Sequence, residues 1–347
     1  MPVIRFGLLG CASIALRRTL PALRAAQGAE LVAVASRDPA RAERVAAEYG
    51  AEAVADYVAL LARPDVDAVY IPLPTGMHHA WTARALAAGK HVLAEKPLAA
   101  RYADAAELVS LAEARGLVLM ENLTFHRHQV HQQVRRLVDD GRIGELRVFQ
   151  GEFAFPPLAG SDIRYRRELG GGALLDAGVY PLRAARMFLG EDLDVVGASL
   201  AESPGHGVDV NGGVLLSAPG GRTAHLSFGF QHAYHCSYTL WGSEGRLTVD
   251  RAFTPPPDFA PPIRLERADG TTEFAGAADD QFRATLDAFV RAVADPDEAA
   301  ASAEEILRQA RLVDRVAAVA AASAPNGPNP PVGSAASVVS TRAATRR

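Results

Sequence analysis

Short apolar runs alternate with longer amphipathic stretches from residue 4 to residue 121, and this rhythm limits the fold more than any other feature. The runs are "IRFGLL", "ELVAVA", "DAVYI", "HVLAE" and "LVLME". Their near-continuous hydrophobicity suits parallel strands buried on both faces. Helix signals lie between them. Asp38-Pro39 offers an N-cap and a first-turn proline before "ARAERVAAEY", and Gly89 closes "HHAWTARALAAG". Repeated βαβ units predict an α/β fold that opens with a Rossmann dinucleotide-binding domain over residues 1–122.

After a predicted helix near His128 to Asp139 the rhythm changes. "GELRVFQGEFAF", "GVLLSA", "RTAHLSFGF", "CSYTLWG" and "GRLTVD" read as strands, several of them separated by turns such as Pro219-Gly220-Gly221. They predict a C-terminal α/β domain, residues 123–323, built on an open, mainly antiparallel sheet. The helical stretch "GGALLDAGVYPLRAARMFLG" stands near its start and two further helices near its end. Residues 324–347, rich in Ala, Ser, Pro and Gly, read as a disordered tail. A length of 347 residues suits two such domains. No apolar run is long enough to span a bilayer, and the first strand begins too near Met1 for a secretory signal, so a cytoplasmic protein is expected. A net charge of −4 gives no general attraction to nucleic acid or to an anionic membrane.

The first strand runs into "GLLGCASIALRR". A phosphate-binding turn needs a sharp bend, backbone N–H groups free to face a pyrophosphate, and a helix N-terminus behind them. Gly10 supplies the bend, while Ala12 and Ala15 stand at the second and third glycine positions of G-x-G-x-x-G. Gly10, Cys11, Ala12, Ser13 and Ile14 are the candidate turn, with Ser13 open to two readings, phosphate donor or helix cap. At the end of the second strand, "VASRDP" places Ser36 and Arg37 where an NAD site carries an acidic side chain. Both side chains donate to a 2′-phosphate, which favours NADP(H) over NAD.

The stretch "PTGMHHAWTARALAAGKHVLAEKPLA" resembles the Gfo/Idh/MocA oxidoreductases, whose marks here are Pro74-Thr75 with His78, Gly89 to Val92, and Glu95-Lys96-Pro97. "LGCASIALRRTLPAL", "AVASRDPARAER", "DIRYRRELGGGALLDAGVYPLRAAR" and "LWGSEGRLTVDRAFTPP" resemble, within that family, the sugar C-3 ketoreductases of deoxysugar biosynthesis. Those enzymes act on dTDP-linked 3-keto-6-deoxyhexoses. The resemblance implies a Rossmann domain followed by a domain whose open sheet often forms an oligomer interface, hence a homodimer or homotetramer. It implies NADP(H) contacts at Tyr57, Leu73, Thr75, His78, Glu95, Lys96, Pro97, Arg164, Tyr165 and Asp176. For a dTDP-sugar the candidates are Arg17, Arg18, Lys96, Asp176, Tyr180, Tyr234 and Thr254.

Lys96 lies just past a predicted parallel strand, at the carboxyl edge where such sheets bind ligands. Partly desolvated there, a lysine can donate a proton or hydrogen-bond a substrate oxygen. Asp176 and Tyr180 are four residues apart and share a face if "LLDAGVYP" is helical. The family most often has histidine at the second position; tyrosine suits protonation of a ketone under reduction. A neighbouring ammonium is expected to favour the phenolate and make Tyr180 the stronger acid. Pro181 is open to two readings, a helix kink or a first-turn proline. The expected step is hydride transfer from NADPH to the C-3′ carbonyl, with the alkoxide stabilised by Lys96 and protonated by Tyr180, either group being able to deliver the proton. His232, His235 and Cys236 have no second cluster at ligand spacing, and a metal site is rejected. Rival readings are a family member that oxidises a free sugar or cyclitol, and a non-catalytic NADP sensor.

Overall fold

The computed structural model describes residues 3–323, and the predicted tail at 324–347 lies outside the described residues. Its first half carries β1 (Ile4–Leu9), β2 (Ala29–Ala35), β3 (Glu52–Val54), β4 (Ala68–Ile71), β5 (His91–Ala94) and β6 (Leu119–Glu121). All are parallel, in the order β3-β2-β1-β4-β5-β6. Helices α1 (Leu20–Ala25), α2 (Pro39–Tyr49), α3 (Tyr57–Leu61), α4 (Thr75–Ala87) and α5 (Tyr102–Ala114) connect them. The chain thus forms the Rossmann sheet that its apolar rhythm predicts. Strand order reverses between β1 and β4, and sheets of this type bind ligands beyond the carboxyl ends of the strands at that reversal.

The second half opens with α6 (Gln129–Asp139), β7 (Leu146–Ala154) and α7 (Val179–Leu189). There follow β8 (Asp194–Glu202), β9 (Asp209–Ala218), β10 (Arg222–Gly229), β11 (His235–Gly242), β12 (Gly245–Asp250), β13 (Pro262–Arg267) and β14 (Gly270–Ala275). The eight strands run β14-β13-β12-β11-β7-β10-β9-β8, antiparallel except for the parallel pair β7–β10. Helices α6 and α7 cover one face with residues such as Val134 and Leu182, packed with Phe149, Leu226 and Leu240. Leu215 and Trp241 stand exposed on the sheet.

Two helices end the described chain, α8 (Gln281–Ala294) and α9 (Pro296–Ser323), and both return to the first half. Leu286 and Phe289 of α8 join the core around Phe6, whose ring centre lies 5.3 Å from that of Phe289. Ala303 and Ile306 of α9 join Val69 and Leu108 on the other side of the parallel sheet, while Leu312 and Val316 reach the second core. One helix therefore sits in both cores and ties the halves together. Among the described residues no helix is long and apolar enough to cross a membrane.

Candidate active site

Gly10 adopts φ +101, and a Cβ there would stand 2.8 Å from Leu73 Cδ2 and 3.4 Å from Tyr57 Oη. Only glycine takes this bend without strain. Its N–H donates to the Ala35 carbonyl at 2.8 Å, setting the turn against the end of β2. Cys11 is buried within the turn, Ala12 and Ile14 are half-buried, and Ser13 is exposed where helical structure begins. That helix passes through a π-turn at Ala15–Thr19 before α1. Past β2, the Asp38 carboxylate accepts from Arg41 N–H and caps α2, while Ser36 Oγ accepts from Asp38 N–H at 3.2 Å. Ser36 is half-buried beside Cys11, and Arg37 is exposed next to it. A glycine bend, a helix N-terminus, a hydroxyl and a guanidinium form a donor set that fits a 2′-phosphorylated dinucleotide. Tyr57, buried edge-to-face on Trp81 at 4.9 Å, and Leu73 complete this wall.

Lys96 follows β5, and its Nζ donates to both Asp176 Oδ1 and the Asp176 carbonyl at 2.7 Å. The same nitrogen lies 5.2 Å from the centre of the Tyr180 ring. Arg164 Nε donates to Asp176 Oδ2 at 2.7 Å, and its guanidinium also meets Asp162. Burial pushes the Asp176 pKa up, but the charges and hydrogen bonds of Lys96 and Arg164 together prevail and hold it at about 2. Tyr180 moves the other way. Burial, then the Asp176 and Glu95 charges, push its phenol well above the ordinary tyrosine value. This corrects the expectation that a neighbouring ammonium makes Tyr180 the stronger acid: burial and the two carboxylate charges outweigh any pull of Lys96 on the phenolate. The phenol stays protonated at neutral pH, loaded as a donor. Its ring is fixed by Phe153, Phe125 and Phe253, at 4.9, 5.7 and 5.9 Å between centres.

Asp176 occupies a π-turn, Leu174–Gly178, that leads into α7. Pro181 lies inside a helix that runs without a break from Ala173 through the π-turn into α7, so it is not a first-turn proline and the helix-interior reading holds. It has no N–H to offer the carbonyl five residues back, and that carbonyl is the one Lys96 takes. Beneath Lys96, Glu95 accepts from Tyr70 O–H at 2.7 Å and from Asn122 at 2.6 Å, so it supports the wall from inside. His78 is buried, with its ring nitrogens 2.8 and 2.6 Å from the Pro97 and Leu73 carbonyl oxygens. Both nitrogens are engaged with backbone, and the ring joins the loop after β4 to the Lys96–Pro97 segment. Thr75 packs against Gly170, where an added Cβ would stand 2.8 Å from Thr75 Cβ; this contact carries Arg164 across to the first half. Tyr165 is buried under the same loop, accepting from Leu158 N–H and facing His206 at 4.6 Å.

A third group lies beyond Phe253. Tyr234 is half exposed with the Arg251 guanidinium 5.8 Å from its ring centre, and Thr254 Oγ1 is 4.0 Å from Cys236 Sγ. Arg251, at φ +50, carries no signal in the sequence that marks it out. Asp162 does carry one, because it stands two residues before Arg164 and caps that turn. Arg17 is exposed, its Nε 3.4 Å from the Ser13 carbonyl, and Arg18 is half-buried; both lie on the helix that follows the phosphate turn. His235 is exposed and Cys236 buried, since neighbours on β11 face opposite sides. No group of three metal-ligating side chains occurs among the described residues.

The description "Oxidoreductase family, NAD-binding Rossmann fold" matches residues 4–123, and "GFO/IDH/MocA C-terminal domain" matches residues 131–248. A dTDP-3,4-didehydro-2,6-dideoxy-alpha-D-glucose 3-reductase from Saccharopolyspora spinosa is 53% identical over 90% of this chain and 96% of its own. A protein of the same name from Streptomyces violaceoruber is 52% identical over 90% of this chain and 94% of its own. The crystal structure of a 3-ketoreductase from Actinomadura kijaniata in complex with NADP and TDP-benzene has a TM-score of 0.89 at 49% identity, covering 91% of this chain and 98% of that one. Both halves match in order, and Lys96, Asp176 and Tyr180 meet across them: the chain belongs to the Gfo/Idh/MocA oxidoreductase family.

Proposed function

We propose that the chain reduces the C-3′ ketone of a dTDP-linked 3-keto-6-deoxyhexose with NADPH, for example dTDP-3,4-diketo-2,6-dideoxyglucose to the 4-keto-2,6-dideoxy sugar. The observation that carries this reading is the Lys96 nitrogen, bonded to Asp176 at 2.7 Å, standing 5.2 Å from the centre of the Tyr180 ring. Similarity to the dTDP-sugar 3-reductases supports the substrate class. The turn at Gly10 to Ile14, with Ser36 and Arg37, would hold the NADPH phosphates, and the bound cofactor supplies the hydride. Tyr180 donates its proton to the ketone oxygen as negative charge develops there. Lys96 then stabilises the phenolate left behind, and Asp176 with Arg164 keeps Lys96 in place. Tyr234, Thr254 and Arg251 offer hydroxyls and a cation to the sugar or its diphosphate, with Arg17 and Arg18 as further donors. The reading includes a cytoplasmic setting and a homodimer or homotetramer formed through the open face that exposes Leu215 and Trp241.

The test is NADPH consumption by the purified protein. Turnover is expected with a dTDP-3-keto sugar, with NADH a poorer donor. Reduction of NADP by free sugars or cyclitols, with no turnover of the nucleotide sugar, would support the rival dehydrogenase reading. An output that survives both Lys96→Ala and Tyr180→Phe would make the protein a sensor and not an enzyme.

A further inference from the structure

A cavity of about 300 Å³ opens between the end of β6, the turn that follows it, α7 and α9. Met120 and Glu121 at the end of β6, His126 and Arg127 of the following turn, Arg183 of α7 and residues 298–306 of α9 enclose it. Its charges do not balance in pairs. Glu298 is held by Arg291 at 3.1 Å, and Glu305 by Arg183 and Arg186. Glu121 accepts from Leu98 N–H at 2.7 Å. Arg127 has no carboxylate within salt-bridge distance among the described residues. Its one side-chain contact is a long one, 3.9 Å, to Met120 Sδ, and its Nε is shielded from solvent without a partner. Arg183 is 8% exposed and pairs with Glu305 through Nη1, while its Nε, like Glu305 Oε2, is shielded from solvent without a hydrogen-bond partner. Burial disfavours the charge of both the half-buried Arg127 and the buried Arg183 and lowers their pKa values, and a bound anion would offset that cost.

We propose that this cavity is a binding site for a small oxyanion, a carboxylate or phosphate, held by Arg127 and Arg183. The planar fork of Arg127 matches the paired oxygens of such a group, and Arg183, already paired with Glu305, adds its free Nε–H. His126 Nδ1 lies 2.7 Å from the Leu123 carbonyl and donates to it, which leaves Nε2 as a lone-pair acceptor at the cavity wall. Burial, then the Arg183 and Arg127 charges, push the His126 pKa well below its usual value and keep that lone pair free. It suits the remaining proton of a hydrogen phosphate better than a bare carboxylate. The site is separate from the proposed phosphate turn and does not depend on the reductase reading.

Titration calorimetry on the full chain, with inorganic phosphate in one arm and succinate in the other, tests this. Two variants accompany the unaltered protein: Arg127→Gln, which removes the unpaired cation, and Ala301→Trp, which blocks the cavity mouth from the exposed side of α9 and leaves every charge in place. One-site binding by the unaltered chain is expected, at least about tenfold weaker in Arg127→Gln and absent in Ala301→Trp. Phosphate binding alone would identify the ligand as a phosphate, and binding in both arms a general oxyanion pocket. No binding in either arm, or equal binding by all three proteins, would overturn the proposal; the first outcome leaves a water-filled void, the second points to another site. Should Arg127→Gln fail to fold, Ala301→Trp decides alone.

Discussion

At the level of single residues, Tyr180 keeps its proton because burial and two carboxylates disfavour the phenolate. Tyr180→Phe removes the hydroxyl and leaves the ring among Phe125, Phe153 and Phe253. We expect kcat to fall by about 10²–10⁴-fold, the usual range for loss of a general acid, with the KM for the sugar and the melting temperature nearly unchanged. Steady-state kinetics beside a melting curve check it; an unchanged kcat would assign proton delivery to Lys96. Lys96, Asp176 and Tyr180 are legible in the sequence because strand position, helical spacing and family motif converge on them. The Arg164–Asp176 bond is not legible, since it forms only once a loop is pinned between α4 and the π-turn. Nor is the double backbone contact of His78, which depends on where two loops meet.

Elements position these side chains, and one close approach is that of α7 to β7. A Cβ added at Gly151 on β7 would stand 2.8 Å from the Phe149 ring and 3.0 Å from Pro181 Cβ, the residue next to Tyr180. Gly151→Ala therefore pushes the start of α7 off the sheet. Overpacking of this kind costs about 1–3 kcal/mol, and here it also displaces the phenol. The expected result is a lower denaturation midpoint together with a reduced kcat. A loss of stability at full kcat would show that the helix repacks without moving Tyr180. Strands with continuous apolar runs are read correctly from sequence. β3, β8, β13 and β14 are not: three of them lie at sheet edges where exposed positions break the pattern, and β13, an inner strand, alternates apolar with charged residues directly after a proline pair. The π-turn at Leu174–Gly178 has no sequence signature either; "LLDAGVYP" suits an α-helix equally well until Pro181 removes a donor.

Across the whole molecule, α8 and α9 cross back to the first sheet, so both halves share stability and buried groups in either half affect both. His131 is the clearest of these groups. It is 2% exposed, its Nδ1 lies 2.9 Å from Tyr238 Oη, and its Nε2 has no partner. Burial, then the nearby His128, push its pKa down to about 3, against 6.5 for a free histidine. Between those values the unfolded chain binds a proton that the folded chain refuses. Stability is therefore complete above pH 6.5 and declines as pH falls toward 3, by about 1.4 kcal/mol per pH unit for this one group. His78, His91, His126 and His128 are shifted the same way, while Glu95 and Glu121, raised by burial, act in the opposite sense. The acid profile of the intact protein is a difference between these sets, so a variant has to isolate one member. His131→Phe keeps a ring of similar size against Phe125 and removes the titration; the lost Tyr238 contact adds an offset that does not vary with pH. Denaturant unfolding between about pH 4.5 and 6 should give the variant a shallower slope by about 1.4 kcal/mol per pH unit. Equal slopes would mean that His131 takes up its proton while folded, and that the core around Phe125 and Tyr238 admits water.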